Sequence, residues 1–319
     1  MADSIVNRTL ATTLPLFLSD YVDALAKKAV EYFWAKQHDI FTYNQGGRKI
    51  EKRIRLTRGS PKGYSGQFEN FTHTVTNPWQ IAEIEWRGIA DSLVVTQKDK
   101  WENKGKEAII KTLPALMTCM KDDNIDEFCT SFHSDGTRLS SLTFHGLAAS
   151  IASTAQTWAN LSQTTYTNWD TQRISGTGFT SNPQRFLHQA ILAASVGVKG
   201  GKTRNMLDLI LCDSTQYLNI EQALDAKVQY TRDLKMAEAG FANIELYGVP
   251  VAWSEYAPTL TIRGINSNLF EFFVGGDDVF QSGVATTPPW PILDVGYIIS
   301  HLNLFNMNPR GSFIIHTIT

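Results

Sequence analysis

Residues 48–56 read RKIEKRIRL and residues 82–87 read AEIEWR. In the first stretch Ile50, Ile54 and Leu56 alternate with Lys49, Glu51, Arg53 and Arg55. In the second, Ala82, Ile84 and Trp86 alternate with Glu83, Glu85 and Arg87. A period of two sends the two sets to opposite sides of a pleated strand, so each stretch is expected as a strand with one face in water. Between them, Gly59-Ser60-Pro61-Lys62-Gly63 marks a turn or loop tip, and alternation resumes over Phe71–Val75. Residues 39–95 are therefore expected to form a long two-stranded β excursion. Two strands bury too little to be stable alone. The ribbon must lie on something, either its own body or a neighbouring subunit.

On the N-terminal side, residues 1–18 show no clean period and are expected as an extended arm. Ser19 and Asp20 offer an N-cap. Behind them Val22, Leu25, Ala26, Ala29, Val30, Phe33 and Trp34 recur at helical spacing, predicting a short amphipathic helix that ends near His38. On the C-terminal side, Ile109, Ile110, Leu113, Leu116, Met117, Met120, Phe128 and Phe132 form one apolar stripe within 96–132. A long helix is expected there, bent or split at Pro114 and stopped at Asp135-Gly136. Gly146–Ala149 begins a further helical piece. The second half mixes the two periods. Helices are expected from Asn182-Pro183 to Ser195 and from the Asp213-Ser214 cap to about Lys235. Met206–Cys212, Asn268–Val274 and Phe313–Ile318 read as strands, and Ile244–Trp253 as a hairpin. No repeat and no flexible linker appears.

The chain has 319 residues, enough for one large core or two subdomains. With 29 basic and 31 acidic residues the net charge is −2, which excludes a chain-wide basic field for coating nucleic acid. Charged residues make up 19%, below the usual quarter, as suits a subunit that hides surface against neighbours. Three cysteines, Cys119, Cys129 and Cys212, form no C-x-x-C pair, and their odd number argues against a disulfide scaffold. Neither a signal peptide nor a membrane span is expected.

Motifs of known chemistry fail one by one. Gly200-Gly201-Lys202-Thr203 lacks the glycine a phosphate loop needs five positions before Gly201, where Val196 stands. No two of the seven histidines take the i, i+4 spacing of a helical zinc site, and no G-x-S-x-G elbow is present. Asp122-Asp123 and Asp277-Asp278 are adjacent pairs whose carboxylates point apart. No catalytic, cofactor or metal residue is expected, and the chain is not expected to be an enzyme.

One charge cluster remains. Arg48, Lys49, Lys52, Arg53, Arg55, Arg58 and Lys62 lie close together with only Glu51 opposing. It fits a nucleic-acid-binding ribbon, a solvated face that keeps a strand edge from aggregating, or a charge-matched contact with another subunit. For the last, Asp122, Asp123, Asp126 and Glu127 are the candidate acidic partners.

The order of elements resembles the major capsid protein of tailed phages, the Hong Kong 97-type coat fold. Short segments are similar as well: Leu187-His188-Gln189-Ala190 ahead of Leu207–Asp213, Phe241–Val251, Asn308-Pro309-Arg310-Gly311, and Thr165-Tyr166 with Trp169. The likeness runs over nearly the whole chain. It implies an α+β chain with an N-terminal arm and short helix (1–38) and an extended β loop (39–95) reaching over an adjacent subunit. It further implies a peripheral domain with a spine helix (96–159), an axial domain (160–285) and a return to the peripheral domain (286–319). The implied function is a structural subunit, assembling as hexamers and pentamers into an icosahedral head around double-stranded DNA. Its partners would be itself, scaffolding, portal and cement proteins, and DNA held non-specifically, with no membrane. Its place would be the virion, assembled in the host bacterial cytoplasm. A long N-terminal scaffolding region is not expected in a chain of this length. The alternatives are the shell protein of a cargo-loading nanocompartment on the same fold and a cytosolic enzyme.

Overall fold

The computed structural model describes residues 29–43, 46–57, 77–96, 112–195, 207–225, 243–287 and 293–319. The arm, the start of the first helix, the loop tip with Arg58 and Lys62, the strand expected over Phe71–Val75 and the Gly200–Thr203 segment lie outside them. The described elements begin with helix α1 (Val30–Gln37), β1 (Phe41–Thr42), β2 (Lys49–Arg55), β3 (Trp79–Glu85) and β4 (Gly88–Thr96). Helix α2 (Thr112–His133), helix α3 (Leu147–Ser150), β5 (Thr157–Trp158), β6 (Leu161–Ser162) and β7 (Gln172–Ser175) follow. The chain continues through α4 (Pro183–Ser195), β8 (Leu209–Cys212), α5 (Ser214–Asp225), β9 (Asn243–Leu246) and β10 (Val249–Trp253). It closes with β11 (Ile262–Ile265), β12 (Phe270–Val274), β13 (Gln281–Thr287), β14 (Leu293–Asn306) and β15 (Phe313–His316).

Helix α2 is continuous from Thr112 to His133; residues 97–111, on the other side of Pro114, lie outside the described residues, and with them the expected bend or split. The expected end of α1 is observed, with His38 as its C-cap.

The chain divides into two units. The smaller takes in Met1–Lys27, Ala90–Asn124 and Ser282–Ile299; the larger takes in Lys28–Ile89, Ile125–Gln281 and Ser300–Thr319. Strands β4 and β13 both pair with β14.

Most of the core lies in the larger unit. A six-stranded sheet runs in the order β7-β15-β11-β8-β10-β9. One of its faces is covered by α4 and α5, which bring Leu187, Ala190, Ile191, Ile220 and Leu224 onto Ile210, Val251, Ile262 and Phe313. The central strands β8 and β11 are buried at every position. That is why Leu209–Cys212 reads as a continuous apolar run rather than an alternation. The β9–β10 hairpin turns at Tyr247 and Gly248, both at positive φ (54° and 80°), the geometry of a two-residue turn that matches strand twist.

Beside this sheet, strands β1, β12 and the second half of β14 carry an aromatic cluster. Phe272 stacks on Phe41 with centroids 5.1 Å apart and meets Phe128 at 5.3 Å; Phe144 lies 5.2 Å from Phe128. Phe128 and Phe132 are the last turns of the apolar stripe read from the sequence, and both are fully buried. Each such ring contributes about 1.5–3 kcal/mol by leaving water.

Two of the short segments singled out in the sequence meet. Asn308 caps the turn Pro309–Gly311 through Arg310 N–H, and the Arg310 guanidinium donates to the Thr167 carbonyl at 3.2 Å, beside buried Trp169.

Candidate assembly surface

Strands β2 and β3 are antiparallel, with Lys49 opposite Glu85 and Arg55 opposite Trp79. Among the described residues they pair with each other and with no other strand. The expected two-stranded ribbon is therefore present, and its register fixes what each face offers.

One face holds Ile50 and Ile84, Lys52 and Ala82, Ile54 and Gln80. Ile50, Ala82 and Ile84 are buried against Trp158, Leu161, Phe273 and Phe305 of the same chain. Polar contacts fix the base further. Glu83 N–H donates to the Ala159 carbonyl at 3.1 Å, and the Trp86 indole to the Gly47 carbonyl at 2.9 Å. Buried Asn303 donates to the Glu85 carbonyl at 2.6 Å while its own oxygen accepts from His145 N–H at 2.8 Å. The proximal half of the ribbon thus rests on its own body.

The other face holds Lys49 and Glu85, Glu51 and Glu83, Arg53 and Ile81, Arg55 and Trp79. Towards the distal end it is open to solvent: Ile81 is 51% and Trp79 52% exposed, and Arg53 and Arg55 are exposed beside them. Two apolar side chains on the water side of a half-buried strand gain nothing for the isolated chain. Neither Arg53 nor Arg55 makes an ion pair among the described residues.

The basic cluster separates under this geometry. Lys49 pairs with Glu83 at 3.1 Å. Lys52 pairs with Glu271 at 3.0 Å and sits 5.0 Å over the Phe273 ring. Arg48, Arg53 and Arg55 face solvent. The acidic candidates separate likewise. Asp126 accepts from the Tyr256 hydroxyl, whose acidity is lowered by burial and by that carboxylate. Glu127 takes both arms of the Arg138 guanidinium, at 3.0 and 2.8 Å. Asp123 is exposed and Asp122 half-buried. Local patterning gives no sign of these intrachain partners, because Lys52 and Glu271 are 219 positions apart.

At the ribbon's base a cleft of about 470 Å³ is lined by Lys49, Glu83, Glu85, Asp135, His145 and Trp158, among others. Burial, with Arg87 nearby, lowers the His145 imidazole to about 4. An unfolded chain takes up that proton near 6.5. Protons therefore favour the unfolded chain between these values, and stability is lost as pH falls from 6.5 towards 4. The loss is on the order of 2 to 3 kcal/mol. Chemical denaturation across that range measures it, and His145→Gln should flatten this part of the profile. An unchanged slope in the variant would assign the acid sensitivity elsewhere.

Among the described residues no His, Cys, Asp and Glu cluster of metal-binding form occurs, and no helix is long and apolar enough to cross a membrane. Cys129 and Cys212 are buried thiols that burial holds well above their ordinary acidity range.

The α+β fold with its two-stranded ribbon has counterparts among known structures. No protein-family model and no curated protein matches the chain by sequence. The chain is similar to the capsid asymmetric unit of cyanophage A-1(L), with a TM-score of 0.74 and 16% identity over 97% of this chain and 98% of that one. It is similar to the capsid of Myoviridae phage XM1, at 0.61 and 10% identity over 96% and 97%. It is also similar to the SrpI encapsulin of Synechococcus elongatus PCC 7942, at 0.60 and 9% identity over 98% and 95%. The chain has the phage capsid fold, as the sequence resemblance implied, and an encapsulin shares it.

Proposed function

We propose that this chain is the major capsid subunit of a tailed phage, a structural protein that assembles with copies of itself, as hexamers and pentamers, into an icosahedral head around double-stranded DNA. The observation that carries the reading is the ribbon. Its inner face is satisfied by its own body, while its distal outer face presents Arg53, Arg55, Trp79 and Ile81 to solvent. A neighbour lying against that face would bury the apolar pair and match the charge. End-to-end likeness to phage capsids supports the same reading.

In this reading residues 39–95 are the extended loop, 96–159 the peripheral domain with α2 as spine helix, 160–285 the axial domain and 286–319 the return. Arg48, Arg53, Arg55, Arg58 and Lys62, with Lys49 and Lys52 at the base, form the subunit contact. Asp122, Asp123, Asp126 and Glu127 are its candidate acidic counterpart. Assembly needs no catalytic group: weak contacts repeated over a closed symmetric lattice sum to a stable shell. Scaffolding, portal and cement proteins would be further partners. The head would be built in the bacterial cytoplasm, with DNA held non-specifically by a near-neutral wall.

The contents of particles recovered from the natural source test this reading. Nuclease-protected double-stranded DNA is the expected result. A protein cargo without DNA would move the chain to the encapsulin function that shares its fold.

A further inference from the structure

The foot of the ribbon is tied to the body through the side chain of Asn303, which is fully buried. Its Oδ1 accepts from two backbone amides, His145 at 2.8 Å and Leu304 at 2.9 Å. A backbone N–H can only donate, so these two bonds fix which way the amide lies. Nδ2 is therefore the atom that reaches the ribbon, donating to the Glu85 carbonyl at 2.6 Å. The same nitrogen lies 3.0 Å from Nδ1 of His145. An amide nitrogen is a donor, so Nδ1 offers its lone pair, and the neutral ring carries its proton on Nε2. The distance from Nδ1 to Oδ1 is longer, 3.3 Å, and that oxygen already accepts twice.

A proton on Nδ1 would set two donors against each other across 3.0 Å. The surroundings resist it as well. Burial does most, and the Arg87 guanidinium, which donates to the Gly136 and Thr143 carbonyls, adds to it. The carboxylates of Asp135 and Glu85 pull the other way and do not prevail. Lys49 and Glu83, which line the same cleft, are paired with each other. The seated ring thus stays neutral down to about 4, whereas a ring freed into water takes up a proton near 6.5.

His145 also meets Trp158 edge-on, with centroids 5.8 Å apart. Trp158 belongs to the apolar footing under Ile50, Ala82 and Ile84, so the polar tie and the footing share a wall. The ribbon has two strands that pair only with each other among the described residues. Lifting it breaks fewer contacts than opening the six-stranded sheet.

We infer that His145 and Asn303 form a proton-sensitive latch: a proton at Nδ1 of His145 drives the Asn303 amide off the Glu85 carbonyl, and the ribbon lifts from its footing before the body unfolds. The latch belongs to the single chain and holds or fails independently of the shell reading.

Hydrogen exchange of the purified chain, corrected for the intrinsic pH dependence of amide exchange, tests it. Between pH 7 and pH 5 the protection of Lys49–Arg55 and Trp79–Glu85 should fall about 20-fold relative to Leu209–Cys212 and Ile262–Ile265, because the lifted state gains a proton that the seated state refuses. His145→Gln should remove that pH dependence. Ribbon and sheet losing protection in step would overturn the latch, and so would a ribbon that stays protected at pH 5. The same fall persisting in His145→Gln would overturn it too, by placing the proton elsewhere. Those first two outcomes are read on the unsubstituted chain, so the test stands even where the variant does not fold.

Discussion

Replacing Arg53 and Arg55 together by Glu is expected to leave a folded, soluble chain that forms no shells. Both side chains stand on the solvent face of β2, opposite Ile81 and Trp79, with no ion pair among the described residues. Surface substitutions of that kind shift stability by about 0.5 kcal/mol or less. A shell reads them differently. Reversing two charges against an acidic neighbour sets like charges together, at several kcal/mol for each contact. The penalty recurs at every equivalent contact of a closed lattice, so assembly should fail outright rather than weaken. Sedimentation velocity, with circular dichroism as the folding control, separates the cases. Normal particles from the double variant would remove the charged face from the contact. Normal particles that retain less nucleic acid would make the cluster a polynucleotide contact instead.

The second large effect lies inside the chain. Glu31 of α1 and His133 at the end of α2 are both buried, and Nε2 of the ring is 2.7 Å from Oε1 of the carboxylate. The Arg263 guanidinium, also buried, donates to the His133 carbonyl at 3.2 Å. Glu31→Ala takes away the acceptor and leaves the buried ring nitrogen without its partner. Breaking a buried pair in this way costs about 3–5 kcal/mol. Glu31→Gln keeps an acceptor and should cost less. In a double-mutant cycle, removing both partners should cost distinctly less than the two single losses added together. Denaturant midpoints of the four proteins decide it. A loss of under about 1 kcal/mol for Glu31→Ala, or simple additivity, would mean that the contact does not hold α1 in place.

That pair also shows where sequence reading stops. The helical period in 22–34 marked Val30 and Trp34 as inward-facing, and both are buried. It could not mark Glu31, because the partner that makes a buried carboxylate tolerable is 102 positions away. The ribbon was legible for the opposite reason. Its two faces differ sharply in polarity, so period two shows directly, and cross-strand pairing preserves the division. Strand β14 was not legible. Leu302–Asn306 is buried at every position, and Ser300, Asn303 and Asn306 occur inside it as buried polar groups, so no alternation survives to be read. Asn303 is there because its amide ties together His145, Glu85 and the strand's own backbone.

The surface was half legible. Seven basic residues formed one cluster in the sequence, but the fold gives Lys49 and Lys52 carboxylates of their own chain. Trp79 and Ile81 are apolar residues on the otherwise charged outer face, so the alternation does not mark them. The positive φ at Leu139 was not legible either, because it contradicts every local preference of leucine.

Negative-stain electron microscopy of the purified chain at high concentration is the most direct test of the central claim. Closed, uniform, icosahedral particles are the predicted result. A chain that stays monomeric or dimeric at every concentration, salt and pH tried would contradict it.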